Sequence, residues 1–241
     1  MKQVNLKNRK CLITGASRGI GREIARYLHQ EGVTLCLVAT KQESFYELKK
    51  EIGENNIYYL CGDLLDMDFS SSLPERAFEL MDGLDYIINN AGIAFAKPFL
   101  ESTMTDWDNI MALNAKVPFV ICKNAVPLLK KSEVPTIINL SSVVGKKGYE
   151  NQSLYSASKH ALEGFTKAFA KEVQQDGIRV HLIAPGGVKT EMVMKTRPDL
   201  DASLLIEADE IADLIVFLLT RRNNGVIENI EIRRESNQAF K

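Results

Sequence analysis

The chain has 241 residues, a net charge of −1 at pH 7, 45% hydrophobic residues and 25% charged residues. That length supports one α/β domain with a sizeable core, and the near-neutral charge gives no pull towards nucleic acid or an anionic membrane. No run approaches the ~18 apolar residues of a membrane span, and Met1-Lys2-Gln3-Val4-Asn5-Leu6-Lys7 lacks the apolar stretch of a secretory signal, so a cytoplasmic protein is expected. Cys11, Cys36, Cys61 and Cys122 show no paired spacing. They are expected as small buried hydrophobes in a reducing compartment, with neither disulfide nor metal.

Short apolar runs alternate with helical stretches along the whole chain. Strands are predicted at 10–14, 33–39, 57–61, 84–89, 135–140, 178–184 and 226–232. Helices are predicted at 20–31, 43–52, 73–81, 107–129 (interrupted by Pro118), 154–174 and 211–219. Continuous apolar strands alternating with helices argue for a parallel sheet covered on both faces. No linker, repeat or low-complexity stretch divides residues 1–241, so a single doubly wound, Rossmann-like α/β domain is expected. Such sheets place their sites at the carboxyl ends of the strands, and the residues that carry chemistry fall there.

The first strand runs into Thr14-Gly15-Ala16-Ser17-Arg18-Gly19-Ile20-Gly21, directly before a helix. Glycines there let backbone approach a pyrophosphate, which the free N–H groups of the helix N-terminus then stabilise. The end of the second strand, Val38-Ala39-Thr40-Lys41, has no carboxylate to hold a ribose 2′-hydroxyl, while Arg18 and Lys41 bring positive charge. NADP(H) is therefore expected over NAD(H), with Thr40 offering a hydroxyl to the 2′-phosphate. Asp63, after the third strand, can accept from an exocyclic amine such as that of adenine or cap the next helix. Asn89-Asn90-Ala91-Gly92 ends the fourth strand in small residues and amides, which suit close passage of a nucleotide or form an Asx turn. Tyr155 and Lys159 stand one helical turn apart. A phenol beside an ammonium can titrate below its usual pKa and exchange a proton with a carbonyl oxygen.

Taken together, Thr14 to Gly21, Asp63, Asn89 to Gly92, Asn114, Ser142, Tyr155-x-x-x-Lys159 and Pro185-Gly186 resemble the short-chain dehydrogenase/reductase family in order and spacing, over residues 9 to about 190. The resemblance implies a seven-stranded parallel sheet with helices on both faces. It implies that Tyr155 is the acid/base, that Lys159 lowers the tyrosine pKa and binds the nicotinamide ribose, and that Ser142, rather than Ser141, polarises the carbonyl. Asn114 would support a water that links Lys159 to solvent. Cofactor contacts are implied at Gly15, Ser17, Arg18, Gly19, Ile20 and Gly21, at Thr40 and Lys41, at Asp63 and Leu64, and at Asn89, Ala91 and Gly92. Tyr155 and Lys159 also belong to this set, together with Pro185, Gly186, Val188 and Thr190.

The texture of the chain is nearest to 3-oxoacyl-(acyl-carrier-protein) reductases, which raises fatty acid biosynthesis and an acyl-carrier protein as partner; Lys146, Lys147, Lys189 and Lys195 are the candidate contacts. Reduction of another small ketone, sugar or hydroxy acid is the alternative, and a catalytically silent nucleotide-binding regulator is the reading from another class. Two departures stand out. The segment 191–207, a lid in the family, is short, with Met192, Val193 and Met194 as an apolar wall. The ending Ile230-Glu231-Ile232-Arg233-Arg234-Glu235-Ser236 lacks the usual glycine-rich turn, which leaves a tetramer interface open. A homodimer or homotetramer through the helices at 107–130 and 154–174 is expected. His29, His160 and His181 are expected to be structural or at the surface.

Overall fold

In the strands, successive side chains point to opposite faces, and here both faces are apolar. Cys11, Ile13, Leu35, Leu37, Ile88, Ile138 and Ile183 pack in one buried cluster, whereas Leu12, Cys36, Val38, Ile87, Ile137 and Val180 pack in another. The computed structural model that places them describes residues 3–238, so the first two and last three residues of the expected domain lie outside the description.

The strands are β1 (Lys10–Thr14), β2 (Thr34–Ala39), β3 (Ile57–Cys61), β4 (Tyr86–Asn89), β5 (Thr136–Leu140), β6 (Arg179–Pro185) and β7 (Asn229–Ile232). They form one 7-stranded sheet in the order β3-β2-β1-β4-β5-β6-β7, and every pairing is parallel. The helices are α1 (Gly19–Gln30), α2 (Tyr46–Ile52), α3 (Met67–Met81), α4 (Met104–Met111), α5 (Val117–Leu129), α6 (Ser153–Val173), α7 (Glu191–Thr196) and α8 (Ala208–Thr220). Ile24 and Leu28 of α1 and Ile211 and Ile215 of α8 cover the first face. Leu73 of α3, Ile121 of α5 and Phe169 of α6 cover the second. Each fully buried aliphatic side chain adds about 1.5–3 kcal/mol relative to exposure. The strand order reverses between β1 and β4, and the crevice at such a switch point is where doubly wound sheets bind ligands.

Several boundaries differ from the sequence reading. Helix α3 starts earlier than expected because the Asp66 carboxylate accepts from the backbone N–H groups of Asp68 and Phe69 at 3.0 and 3.2 Å, an N-cap hidden in a polar run. The expected helix over 107–129 is two helices joined by a π-helical turn, Ala112–Lys116, with Pro118 in the first turn of α5. Proline cannot donate the i→i−4 bond to Asn114, and the widened turn takes up the break. The segment 191–207 is ordered as α7 and a 3₁₀ turn, Ala202–Leu204. Strand β7 begins only at Asn229, and Val226 and Ile227 are exposed. All four cysteines are free, three of them buried and Cys61 half-buried. His181 lies within hydrogen-bonding distance of the Ile227 carbonyl, His29 of the Asn55 carbonyl, and His160 of Ser156.

Candidate active site

The turn after β1 is built for close backbone approach. Gly15 and Gly19 have φ of 65° and 52°, a region that glycine enters without a Cβ clash. A Cβ on Gly21 would lie 2.2 Å from the Gly15 carbonyl oxygen. The Thr14 hydroxyl accepts from the backbone N–H groups of Asn90 and Ala91, both at 3.1 Å, and the Asn90 amide donates to the Thr14 and Gly15 carbonyls at 3.0 Å. The ends of β1 and β4 are thereby locked together. Helix α1 opens with no side-chain cap and no acidic residue in its first turn, so its N–H groups face a cleft ready for an anion.

That cleft has a volume of about 590 Å³. Gly15, Ser17, Arg18, Gly19 and Ile20 line it at one end, with Thr40 and Ser44 at the tip of β2 and Asp63 and Leu64 after β3. Ala91, Gly92, Tyr155, Lys159, Pro185 and Thr190 line the rest. Asp63 forms an Asx turn, its Oδ1 accepting from Leu65 N–H at 2.9 Å, while Asp66 does the helix capping. Lys41 is exposed and Gly21 packs behind the turn; neither lines the cleft. Asn89 also stands apart: its amide donates to Asn139 Oδ1 at 2.8 Å inside the sheet, and Asn139 donates to Thr166 on α6. Asn90 takes the loop role in its place.

The proton-handling residues come from four elements. The π turn presents Asn114, which is 1% exposed. Its Oδ1 accepts from Ile93 N–H at 2.9 Å, and its Nδ2 donates to the Ile93 carbonyl at 2.8 Å and to Ser158 Oγ at 3.0 Å. Ser142, just past β5, has its hydroxyl near enough to Tyr155 to favour the phenolate. Ser141 is spoken for elsewhere, its hydroxyl donating to buried Glu163 at 3.2 Å. Lys159 Nζ donates to the Leu140 carbonyl at 2.9 Å and lies 6.0 Å from the Tyr155 ring centre.

The electrostatics depart from expectation. Burial raises the Tyr155 pKa above the usual phenol value, and the nearby Ser142 hydroxyl offsets this only in part. Lys159 is shifted as well. Its own pKa falls to about 8, because burial penalises the ammonium more than Glu163, one turn further on, supports it. Glu163 is itself held by Lys146 at 2.7 Å and Lys167 at 3.4 Å. Near neutral pH Tyr155 is therefore a protonated acid.

A second cavity of about 330 Å³ meets the cleft at Tyr155 and Ser141. Ser142, Val144, Gly186 and Val188 line it, so the last two belong to this chamber rather than to the larger cleft. Met192 and Val193 of α7 form the expected apolar wall, but Met194 is exposed and outside it. Phe95, Tyr149, Arg197, Arg234 and Asn237 also line it, and the sequence reading singled out none of them. Arg197 and Arg234 stood in the two stretches already marked as unusual, the only signal that could have found them.

Residues 9–201 match the family model described as short chain dehydrogenase. The chain is similar to the 3-oxoacyl-[acyl-carrier-protein] reductase FabG of Aquifex aeolicus, with 31% identity over 227 residues, covering 90% of this chain and 92% of that protein. It is 34% identical over 190 residues to Nodulation protein G of Rhizobium sp., covering 79% and 77% of the two chains. Among solved structures, a metagenomic short-chain oxidoreductase in complex with NADP superposes with a TM-score of 0.83 at 29% identity, covering 95% of this chain and 99% of that one. Levodione reductase gives a TM-score of 0.85 at 28% identity, covering 94% and 96%. This chain belongs to the short-chain dehydrogenase/reductase family and is an oxidoreductase.

Proposed function

We propose that the protein interconverts a small ketone and a secondary alcohol with NADP(H) as cofactor. The observation that carries this reading is the place of Tyr155, which lines both cavities at their junction and shares the smaller one with Ser142. The glycine turn and the first turn of α1 would hold the pyrophosphate, Asp63 and Leu64 the adenine side, and Lys159, Pro185 and Thr190 the nicotinamide end. The cradle fits a dinucleotide: a Cβ on Gly15 would come within 2.9 Å of Ala91 Cα, and one on Gly92 within 3.0 Å of Asn114 Oδ1, so glycine keeps the floor low. When bound, the reduced nicotinamide supplies the hydride.

Ser142 orients the carbonyl, and Tyr155, kept protonated by burial, donates the proton to its oxygen. Lys159 uses one N–H on Leu140 and has two more to offer the ribose and the proton path, with Asn114 holding that path in place. The absence of a carboxylate at the end of β2, with Thr40 and Ser44 lining the cleft there, supports NADP(H) over NAD(H). Two of the four lysines that could greet an acidic carrier protein are already paired, Lys146 with Glu163 and Lys189 with Glu207. That and a cavity of about 330 Å³ favour a small ketone over an acyl chain on a carrier protein. Exposed Met104, Trp107 and Phe119 on α4 and α5 support a homo-oligomer through that face, with light scattering expected to give at least twice the chain mass.

The test is NADPH and NADH oxidation with small ketones and an acetoacetyl thioester, wild type beside Tyr155→Phe. Turnover with NADPH, reduced about 1,000-fold in the variant while NADPH binding is retained, is the expected result. Nucleotide binding without turnover of any ketone would overturn the reading, and a preference for NADH would overturn the cofactor assignment.

A further inference from the structure

The smaller cavity has an uneven charge. Among the described residues that line it there is no Asp or Glu, but there are two arginines, Arg197 and Arg234. Arg197 is committed: its guanidinium forms a bidentate pair with Asp199 at 2.8 and 2.7 Å. Arg234 is half-buried, and its charge reaches Asp199 only at long range. A guanidinium is a planar fork of five donors shaped for a carboxylate.

The chain holds Arg234 in place with some care. The Gly186 N–H donates to the Ile232 carbonyl at 2.8 Å, tying the end of β7 to the turn after β6. Beyond it the chain folds back on itself. The Arg233 guanidinium donates to the carbonyls of Arg234, Glu235 and Asn237, and Asn237 N–H donates to the Arg234 carbonyl at 3.0 Å. The Arg234 stem runs along the glycine pair: a Cβ on Gly187 would lie 3.6 Å from its Cδ, and one on Gly186 3.8 Å from its Cγ. Both glycines line the same cavity as Tyr155.

We propose that Arg234, with Asn237 beside it, recognises a carboxylate on the substrate, so that the protein acts on a small keto acid or its hydroxy acid. This deepens the reading of the site as a ketone reductase and rests on it. The proton donor and the carboxylate receptor share one small chamber, which favours a ketone and a carboxylate separated by few bonds. An apolar wall of Met192, Val193 and Leu200 would cover the carbon skeleton between them.

The experiment compares acetoacetate with its methyl ester, which lacks the charge at that end and carries one extra methyl group. Two readouts are taken on wild type, Arg234→Gln and Arg234→Lys: the acid-to-ester ratio of kcat/KM, and calorimetric binding of 3-hydroxybutanoate to the NADP⁺-loaded protein. Wild type should prefer the acid, and Arg234→Gln should lower the ratio about 30-fold, mainly through KM for the acid, as expected for a lost charge-assisted hydrogen bond. Arg234→Lys should fall between, since the charge remains and the fork is gone. A general disturbance of the fold would move acid and ester together and leave the ratio alone. An unchanged ratio in Arg234→Gln overturns the proposal while leaving the reductase intact. If wild type reduces neither compound, the reductase reading goes to the wider ketone panel and calorimetry decides this one. Hydroxy-acid binding that Arg234→Gln abolishes supports the carboxylate site, and no binding to wild type overturns it.

Discussion

The large cleft and the small cavity meet at Tyr155 but are made of different material. The cleft is backbone: strand ends, two glycines with positive φ, and the first turn of α1. Its dimensions follow from peptide geometry, and few side chains could replace what is there. The small cavity is walled on its outer side by side chains from α7, from residues 197 and 200, and from the segment after β7. Those can change without disturbing the sheet. A fold can thus keep one way of holding a dinucleotide and alter what is placed opposite it.

The strongest way to break this contrast is Gly21→Ala. The new Cβ would sit 2.2 Å from the Gly15 carbonyl oxygen and 2.5 Å from Asn90 Nδ2. Both atoms belong to the lock between β1 and β4, so relief requires moving backbone. We expect a loss of about 3 kcal/mol in stability and at least 100-fold in NADPH affinity, read by thermal unfolding and by nucleotide fluorescence. Gly148→Ala is the control, since a Cβ there meets nothing within 4 Å. If Gly21→Ala binds NADPH like wild type, the cleft is not the backbone mould described here.

The same contrast explains what could be read in the sequence. The glycine turn, Asn114, Ser142, Tyr155 and Lys159 stood out because each sits at a fixed spacing from a strand end or along one helix. The alternation of strands and helices was equally legible, since both faces of every central strand are apolar. That the Asn89 side chain turns into the sheet was not legible, because a strand-end amide looks the same whether it faces the cleft or Asn139. The pKa directions depend on burial, which spacing does not reveal: Lys159 beside Tyr155 suggested a depressed phenol, yet desolvation acts on both groups and is the larger effect. Arg234 was out of reach because its position depends on β6, β7 and the Arg233 contacts at once.

Lys159 sharpens the comparison by weighing function against stability. Its folded pKa of about 8 lies below the ordinary lysine value of 10.5. The folded state then binds fewer protons than the unfolded state between these values, so stability rises with pH across that window and the full penalty is present below it. At neutral pH this amounts to about 3 kcal/mol. Lys159→Met removes the penalty and loses the bond to the Leu140 carbonyl, worth about 1 kcal/mol. The variant should be about 2 kcal/mol more stable than wild type at pH 7, should lose the advantage by pH 10–11, and should have no measurable turnover. Urea unfolding at three pH values checks the sign. A destabilised variant at pH 7 would mean that the buried ammonium is supported better than its surroundings suggest.

The smallest effect lies where the two regions touch. Arg18 of the glycine turn pairs with Glu191 at the start of α7 at 3.2 Å, with side chains 72% and 77% exposed. Such a pair adds little to stability, so Glu191→Gln should change unfolding by less than about 0.5 kcal/mol. Its consequence is in selection. On the proposed NADP(H) reading the carboxylate would compete with a 2′-phosphate for the Arg18 guanidinium, and removing it should raise the NADPH-to-NADH ratio of kcat/KM about 2-fold at low salt, with the gain screened away near 1 M salt. A fall in the ratio would show the opposite relation: Glu191 would then hold Arg18 in the pose that meets the phosphate, and the substrate-side helix would be part of the cofactor site.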